Sequence, residues 1–526
     1  MLHSTLTGCK GAEMTTRRMA VLAITLLTMT ACGAGGGTSG SSDKSLVIGL
    51  ESPIPSLNPA SSPVSTTLAY AYDPLIYWTA DGSFVPDLAT SWGYVGTGNT
   101  TFQLKLRSGA RFADGSPLTA QAVVNSVRSF LKTPNPNLAA AGPVKSVTAT
   151  GDSTVQITYS SAFPNAVQSL TQFFGAGMIV GPKGLTDPAS LETSTDGVGQ
   201  YTLDAADTRA GSVYTFTANK KYFNQSAIQY TSVQLRIIPS ASSRVSALES
   251  GQVQDATQIP IDQVGASGTT GYQRLGGNTT WELLQFLNTS SGPLSKLAVR
   301  QALEYAVNRA AIVKDLYGGY ATALDQFSPS GTTGYDSALD DAYGFDTAKA
   351  KALLKQAGYG GGFTLKLLGN TTTDPGGLLA QELKSELAAV GVTVQLQVDS
   401  GQMAAFQADL GSGKFGAALW NMSSIDLYST ATQTIVSPHS LLNPGATADA
   451  GAMTLLRTAA AADGSAAFAS DLRKLNAYLT SDALGVPICA RTNIDLVATG
   501  VKLPAASYVT PQANMIGPSA QYAVSG

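Results

Sequence analysis

The sequence predicts an α/β fold with strands and helices interleaved along the chain. Three observations carry this. Apolar residues recur at helical spacing in some stretches and alternate in others. In the second half the two periods take turns, which is the pattern of a largely covered sheet. After residue 45 no apolar run is long enough to span a bilayer. With 526 residues and 44% of them hydrophobic, the chain can build sizeable cores in roughly two to four domains.

The elements follow in order. Arg17 and Arg18 precede the apolar run "MAVLAITLLTMTA" and Cys32, the order of a secretory signal. Met14 lies just ahead of these arginines, so Met14–Ala31 forms a compact signal by itself and Met14 is an alternative start. The twin arginine leaves Tat export open. Behind Cys32, "GAGGGTSGSS" reads as a flexible tether. "FQLKLR" places Phe102, Leu104 and Leu106 on one face of a strand. Thr119 then caps a helix whose apolar face is Val123, Val124, Val127, Phe130 and Leu131. "VTATGDSTVQITY" is a hairpin turning at Gly151-Asp152.

Further on, "KLAVRQALEYAVNRAAIVKDLYGG" is expected as one long amphipathic helix closed by Gly318. "FDTAKAKALLKQAGY" is a second, capped by Asp346 or Thr347 and stopped at Gly358, with the strand "FTLKLLG" behind it. "LLAQELKSELAAVGVTVQLQVD" gives helix, Gly391 turn and strand. A helix near "MAAFQADLGSG" and the strand "FGAALW" complete the alternation.

Composition narrows the function. Charged residues make up 13% of the chain and the net charge is -3, which argues against nucleic acid or an anionic membrane surface as partner. Of the three cysteines, Cys9 falls in the leader and Cys32 at its end, so Cys489 has no intramolecular disulfide partner in the mature chain. Cys489 reads as a small buried residue. The two histidines are His3 and His439, too few for a histidine-based metal site, and no metal or other cofactor is expected. His439 reads as a loop residue. HExxH, GxSxG and CxxC motifs are absent, and "GYGGGF" lacks the GK[ST] ending of a phosphate loop. An exported glycosidase working through two carboxylates is the enzyme alternative, but no local pair stands out.

"MTAC", ending at Cys32, resembles the lipobox of bacterial lipoproteins, with Met29 where leucine is usual. That resemblance implies a lipidated Cys32 and attachment to the cell membrane, and two or more acyl chains make a durable anchor.

Several segments together resemble the family 5 extracellular solute-binding proteins, the peptide and nickel receptors of ABC importers. They are "LNPASS", "YDPLIYW", "VPDLATSW", "FQLKLRSGARFADGSPLTAQAVVNSV", "ALESGQV", "PLSKLAVRQALEYAVNRAAIV" and "YGFDTAKAKALLKQAGY". They keep the family's order from about Ser45 to about Arg491. The resemblance implies a two-lobed periplasmic-binding-protein-like clamp (type II, cluster C) with an extra inserted subdomain, acting as a monomer with the permease subunits of an importer and without catalysis. By similarity lobe I holds residues 45–80, 190–278 and 486–526, the inserted subdomain 81–189 and lobe II 279–485. Crossings near "LLQFLNT" and "GVPICAR" form the hinge. A clamp of this kind works by population shift, because a ligand touching both lobes favours the closed form.

The same resemblance names a candidate site. The loop "ESPIPSLNP", with Glu51, Ser52, Pro53 and Ile54, lies where lobe I of the family meets ligand backbone; the plain alternative is a loop that only shapes a turn. In the family a Trp ends a lobe II strand and an Asp three residues later captures a peptide's α-amino group. "LWNMSSIDLYS" keeps Trp420, followed by Asn421, but has Ser423 at the acidic position, with Asp426 further on as a substitute. Where the family's dipeptide receptors place an Arg against the peptide carboxylate, Asn370 and Thr371 stand instead. An ammonium buried without a carboxylate is expensive, so a zwitterionic dipeptide is disfavoured. A longer peptide held through its main chain fits better, as does an uncharged solute such as a glycoside stacking on Trp420, Trp281, Tyr72 or Trp78. Each of these aromatics has a plain core role as its alternative. Arg491 is either a ligand contact or an interlobe ion pair. A surface adhesin or signalling receptor with the same clamp is a further alternative.

Overall fold

A computed structural model describes residues 44–62, 66–79, 81–135, 137–266, 271–370, 377–399, 403–423, 426–438, 440–443, 449–502 and 523–524. The leader, Cys32, the tether, Thr371 and His439 lie outside the described residues. Residues Asp43–Gly526 form one compact unit. Among the described residues no helix is long and apolar enough to cross a membrane.

The body begins with β1 (Ser45–Leu50). A short antiparallel pair follows, β2 (Ile76–Trp78) with β3 (Phe84–Pro86). Next come β4 (Ala89–Tyr94), β5 (Thr101–Leu106), β6 (Val144–Ala149) and β7 (Thr154–Tyr159), a sheet of their own in the order β4-β5-β7-β6. The chain then enters the main sheet through β8 (Tyr201–Leu203), β9 (Val213–Ala218), β10 (Ser232–Ile237) and β11 (Asp255–Ala256). It continues with β12 (Gln273–Phe286), β13 (Ala321–Ala323), β14 (Phe363–Asn370), β15 (Val392–Asp399), β16 (Ala417–Ser423) and β17 (Gly485–Val497). The main sheet runs β15-β14-β16-β12-β17-β11-β1-β10-β9-β8, with β13 alongside β17. The long strands β12 and β17 therefore belong to both ends of it.

Burial sorts into separate cores. One end of the sheet packs Leu46, Ile48, Phe216, Val233 and Leu235 with Tyr70 and Tyr72. The other end has a core on each face, one around Leu303, Leu367, Leu383 and Ile488, the other around Trp281, Phe406, Leu472 and Leu475. The four-stranded sheet has its own. The alternation in "FQLKLR" buries Phe102, Leu104 and Leu106 against Val123, Val124 and Val127 of the helix Ala120–Lys132. Thr119 caps that helix, its Oγ1 accepting from the Ala122 N–H at 3.1 Å.

Most local expectations hold, down to the turn glycines Gly358 and Gly391, both at positive φ. Asp346 rather than Thr347 is the cap of the helix Thr347–Gln356, accepting from the Lys349 N–H at 2.8 Å. One expectation is overturned. The stretch from Leu297 to Asp315 is two helices, Leu297–Ala306 and Arg309–Asp315. Asn308 breaks it, because its Oδ1 caps the second helix through the Ala311 N–H while its own N–H donates to Glu386. The break turns Arg309 inward. Its guanidinium reaches the carbonyls of Leu324 and Pro487 and the carboxylate of Glu304, all buried. A buried arginine answered on this many sides fixes β17 and the segment after β13 against both helices.

The four-stranded sheet meets the main body at a buried carboxyl pair, Asp73 and Asp87, close enough for the charge of one to act on the other. Tyr222 Oη donates to Asp73 at 2.6 Å, and Arg107 Nε donates to the Asp87 carbonyl at 2.9 Å. Burial pushes Asp73 up to about 7, with the bond from Tyr222 and the charge of Arg107 pulling it back. Burial, and then the charge of Asp73, pushes Asp87 up as well. A carboxyl raised in the folded state stabilises it below the ordinary carboxylate range and loses that contribution as pH rises through the folded value. The pair therefore makes the protein less stable as pH climbs from about 4 to about 7 and above. In Asp87→Asn the amide N–H can donate to Asp73 without a titrating proton. The fall in Tm between about pH 5 and about pH 8 is expected to be smaller in the variant than in the wild type. An equal fall in both, followed by circular dichroism, would remove the pair as the cause.

Candidate functional site

The chain crosses between the ends of the main sheet along β12 and β17, which pair from Gln273↔Val497 to Gln285↔Gly485 with irregularities at Asn278/Thr280 and Glu282/Leu283. Strand alternation decides what this crossing presents. Trp281, Leu283 and Ala490 enter the core on one face, and Ala418, Trp420 and Met422 of β16 join them. Leu284, Val486, Ile488 and Cys489 enter the core on the other face, with Ala417 and Leu419. Glu282 pairs with Cys489 in register, on that second face, where Arg491 Nε donates to its carboxylate at 2.7 Å. Asn421 stands opposite Glu282. Asn421 and Arg491 therefore share a face, and Trp420 is on the other. For Ser423 only the backbone is described, opposite Thr280.

The first loop is tied down by an arginine that the sequence reading did not single out. Arg244 is almost fully buried and donates to the carbonyls of Ile238, Pro239, Thr257 and Gln258 at 2.7–3.0 Å. Its guanidinium stands 3.8 Å from Glu51, and Asp495 of β17 accepts from the Gln258 N–H at 2.7 Å. Burial pushes the Asp495 carboxyl up to about 7, the Gln258 N–H and Arg244 pulling it back. The first loop and β17 thus converge on one cation. Glu51, Ser52 and Pro53 are exposed. Ile54 is buried in the core beneath, its carbonyl accepting from Tyr214 Oη at 3.2 Å.

Asp426 is buried and bonded. It caps the short helix Leu427–Thr430 through the Ser429 N–H at 2.8 Å and accepts from Asn165 Nδ2 at 3.0 Å. Burial pushes its carboxyl up, and these bonds pull it back. Asn165 follows the four-stranded sheet in the chain, so this contact joins the subdomain to the far end of the body. Two more contacts do the same. Asn99 Nδ2 donates to the carbonyls of Ala460 and Ala462, each at 2.9 Å, and the Gly98 N–H donates to Asp463 at 3.0 Å.

The aromatic candidates divide. Trp281 and Tyr72 are core residues, and Tyr72 Oη also accepts from the Asp196 N–H at 3.2 Å. Trp420 is half-buried and stacks on Phe406 with ring centroids 5.3 Å apart. Trp78 stacks on Phe84 at 5.4 Å. Cys489 is buried and burial pushes its thiol up, which leaves it protonated and unreactive. Asn370 is buried too. Among the described residues no group of three His, Cys, Asp or Glu side chains is placed to hold a metal ion.

Sequence reasoning missed Glu282, Arg244, Asn99 and Asn165. Two left a trace. Glu282 is an acid inside the apolar strand "WELLQF", and Arg244 lies four residues before Leu248, on the apolar face of the helix Ala241–Glu249.

A family model for bacterial extracellular solute-binding proteins, family 5, matches residues 83–435. The chain belongs to this family. As a family 5 protein it is an extracytoplasmic, non-catalytic binding component that works with an ABC importer on small solutes. A glutathione-binding protein of Pectobacterium atrosepticum is 30% identical over 390 residues, 72% of this chain and 74% of that one. NikA of Brucella suis, solved in complex with Fe(III)-EDTA, superposes with a TM-score of 0.77 at 19% identity, covering 92% of this chain and 100% of that one. The murein tripeptide-binding protein MppA, in an unliganded open form, gives 0.75 at 22%, covering 92% and 98%. These two likenesses establish the two-lobed fold.

Removing Arg491 from this solute-binding protein would leave the buried Glu282 carboxylate without its guanidinium. Arg491→Ala is expected to lower unfolding free energy by about 3 kcal/mol, and Glu282→Gln in the same chain should recover most of it. Urea denaturation of the two single variants and the double variant checks this. Additive losses would mean that the pair is not coupled.

Proposed function

We propose that this chain is a receptor tethered to the membrane through a lipid on Cys32, capturing an oligopeptide by closure of two lobes and passing it to the importer's permease subunits. In this reading lobe I is 45–80, 190–278 and 486–526, the inserted subdomain 81–189 and lobe II 279–485, with β12 and β17 as the hinge. Glu51–Ile54, Trp420, Asn421, Ser423, Asp426 and Arg491 form the candidate contact set, contributed by the first loop, the end of β16 and the hinge.

One observation carries the choice of ligand. The three charged side chains in that set are already answered within the protein: Glu51 by Arg244, Asp426 by Asn165 and the Ser429 N–H, Arg491 by Glu282. A ligand bringing a free ammonium or carboxylate would have to displace one of these partners, leaving another buried charge uncompensated. A peptide whose ends lie outside the contact set, held by main-chain bonds with side chains in wet pockets, requires no such exchange. The glutathione and murein tripeptide named for its relatives are peptides as well.

Native mass spectrometry of residues 45–526, with denaturing release of whatever copurifies, is the direct test. A ladder of peptide masses is the expected outcome. A single non-peptide mass, such as a glycoside, would overturn the peptide reading and keep the receptor. At residue level, Trp420→Ala is expected to weaken binding of the released solute at least tenfold by calorimetry, about 1.4 kcal/mol. Wild-type affinity in that variant would take Trp420 out of the site.

A further inference from the structure

Between the subdomain and the far end of the body lies a cavity of about 610 Å³. That is within the usual range of about 300–1,000 Å³ for small-molecule sites. Its walls come from both bodies. Trp78, Phe84 and Tyr94 form one side, and Phe468 and Ala469 of the helix Ser465–Ser481 form the other, with the Asn165–Asp426 contact between them.

The chemistry of the lining selects an occupant. It contains no Lys, Arg or His, and its one carboxyl group, Asp426, is spent on a helix cap and on Asn165. A charged group entering here would lose its hydration with no opposite charge to meet. The aromatic faces are another matter. Phe84 is 38% exposed, a large apolar ring left partly uncovered. Rings offset or edge-on to such faces gain about 0.5–1.5 kcal/mol beyond the area they bury.

We propose that this cavity is a compartment for a neutral group bearing an aromatic ring, such as the side chain and flanking amides of an aromatic residue, and that filling it holds the subdomain shut against the opposite lobe. This rests on reading the chain as a receptor that closes on its solute. Because the walls belong to different bodies, an occupant touching both binds the shut form better and shifts the population toward it. The contacts from Gly98 and Asn99 to residues 460–463 join the same two walls, so hydrogen exchange there reads whether an occupant holds them together.

The probe is N-acetyl-L-phenylalanine amide, which is neutral and carries one ring and two amides. Calorimetry should detect its binding to the wild type. Ala469→Trp, a half-buried wall residue of the helix Ser465–Ser481, should weaken binding at least tenfold while leaving Tm unchanged, and Ala466→Trp, more exposed on the same wall, should act in the same direction. Hydrogen exchange at Gly98, Asn99 and the 460–463 segment should slow when the probe is present. No binding to the wild type, or binding to both variants at wild-type strength, overturns the compartment. Binding without slowed exchange overturns its role in closure. The copurified solute is read separately, so a non-peptide cargo would defeat the peptide reading and leave this test standing.

Discussion

The pairing of β12 with β17 constrains everything else in the molecule, because neither end of the main sheet can satisfy its backbone groups without those strands. A buried N–H or C=O left without a partner costs about 1–3 kcal/mol, so movement between the ends must bend this ladder rather than break it. The irregularities at Asn278/Thr280 and Glu282/Leu283 are where the ladder is already interrupted and a strand can bend. The ion pair Glu282–Arg491 sits beside them and the Arg244–Asp495 cluster further along β17. Buried charge recurs along this ladder, as it does at Arg309–Glu304 and at Asp73 and Asp87, so a chain with 13% charged residues still places several of them out of water.

That placement bears on specificity. Receptors that recognise charged termini hold ionised side chains in readiness, but here Glu51, Asp426 and Arg491 are each engaged by the protein itself. In the proposed site, shape, main-chain bonds and aromatic faces would be what remains to discriminate solutes. Such terms separate candidates by small steps, since one methylene in an apolar pocket is worth about 1–3 kcal/mol. A site of this kind tolerates a range of related solutes more readily than one built around a single ion pair.

Much of the fold could be read from the sequence, because it rests on local signals. The alternation of Phe102, Leu104 and Leu106, the cap at Thr119 and the turns at Gly358 and Gly391 depend on neighbouring residues and come out as expected. The helix over Leu297–Asp315 did not, because its break depends on Glu386, distant in sequence, meeting the Asn308 N–H. The candidate site was harder for the same reason. Trp420 and Asn421 are adjacent in sequence, yet the strand period sends them to opposite faces of the sheet. Asn165 and Asp426 are far apart in sequence and meet only in the folded chain. Polar contacts of this kind leave no periodic trace, whereas Glu282 and Arg244 do, as charges set into apolar patterns.

The contacts across the subdomain are few and small for a reason that concerns function. Amide and backbone bonds from Gly98, Asn99 and Asn165 carry much of the polar part of this interface, each worth about 0.5–1.5 kcal/mol net, or about 1.5–3 kcal/mol where the acceptor is an ionised carboxylate. Closing also costs conformational freedom, about 1–2 kcal/mol for each residue whose backbone becomes fixed. In the proposed clamp these two amounts oppose each other, and the closer they come, the nearer the empty protein stands to balance between open and shut. Near balance, about 1.4 kcal/mol of extra contact in the shut form changes the ratio tenfold. A strong ion pair at this interface would have shut the clamp without any solute and removed the distinction between empty and loaded. In the proposed clamp, bonds without an ion pair across the interface keep that distinction, leaving the solute to decide the state.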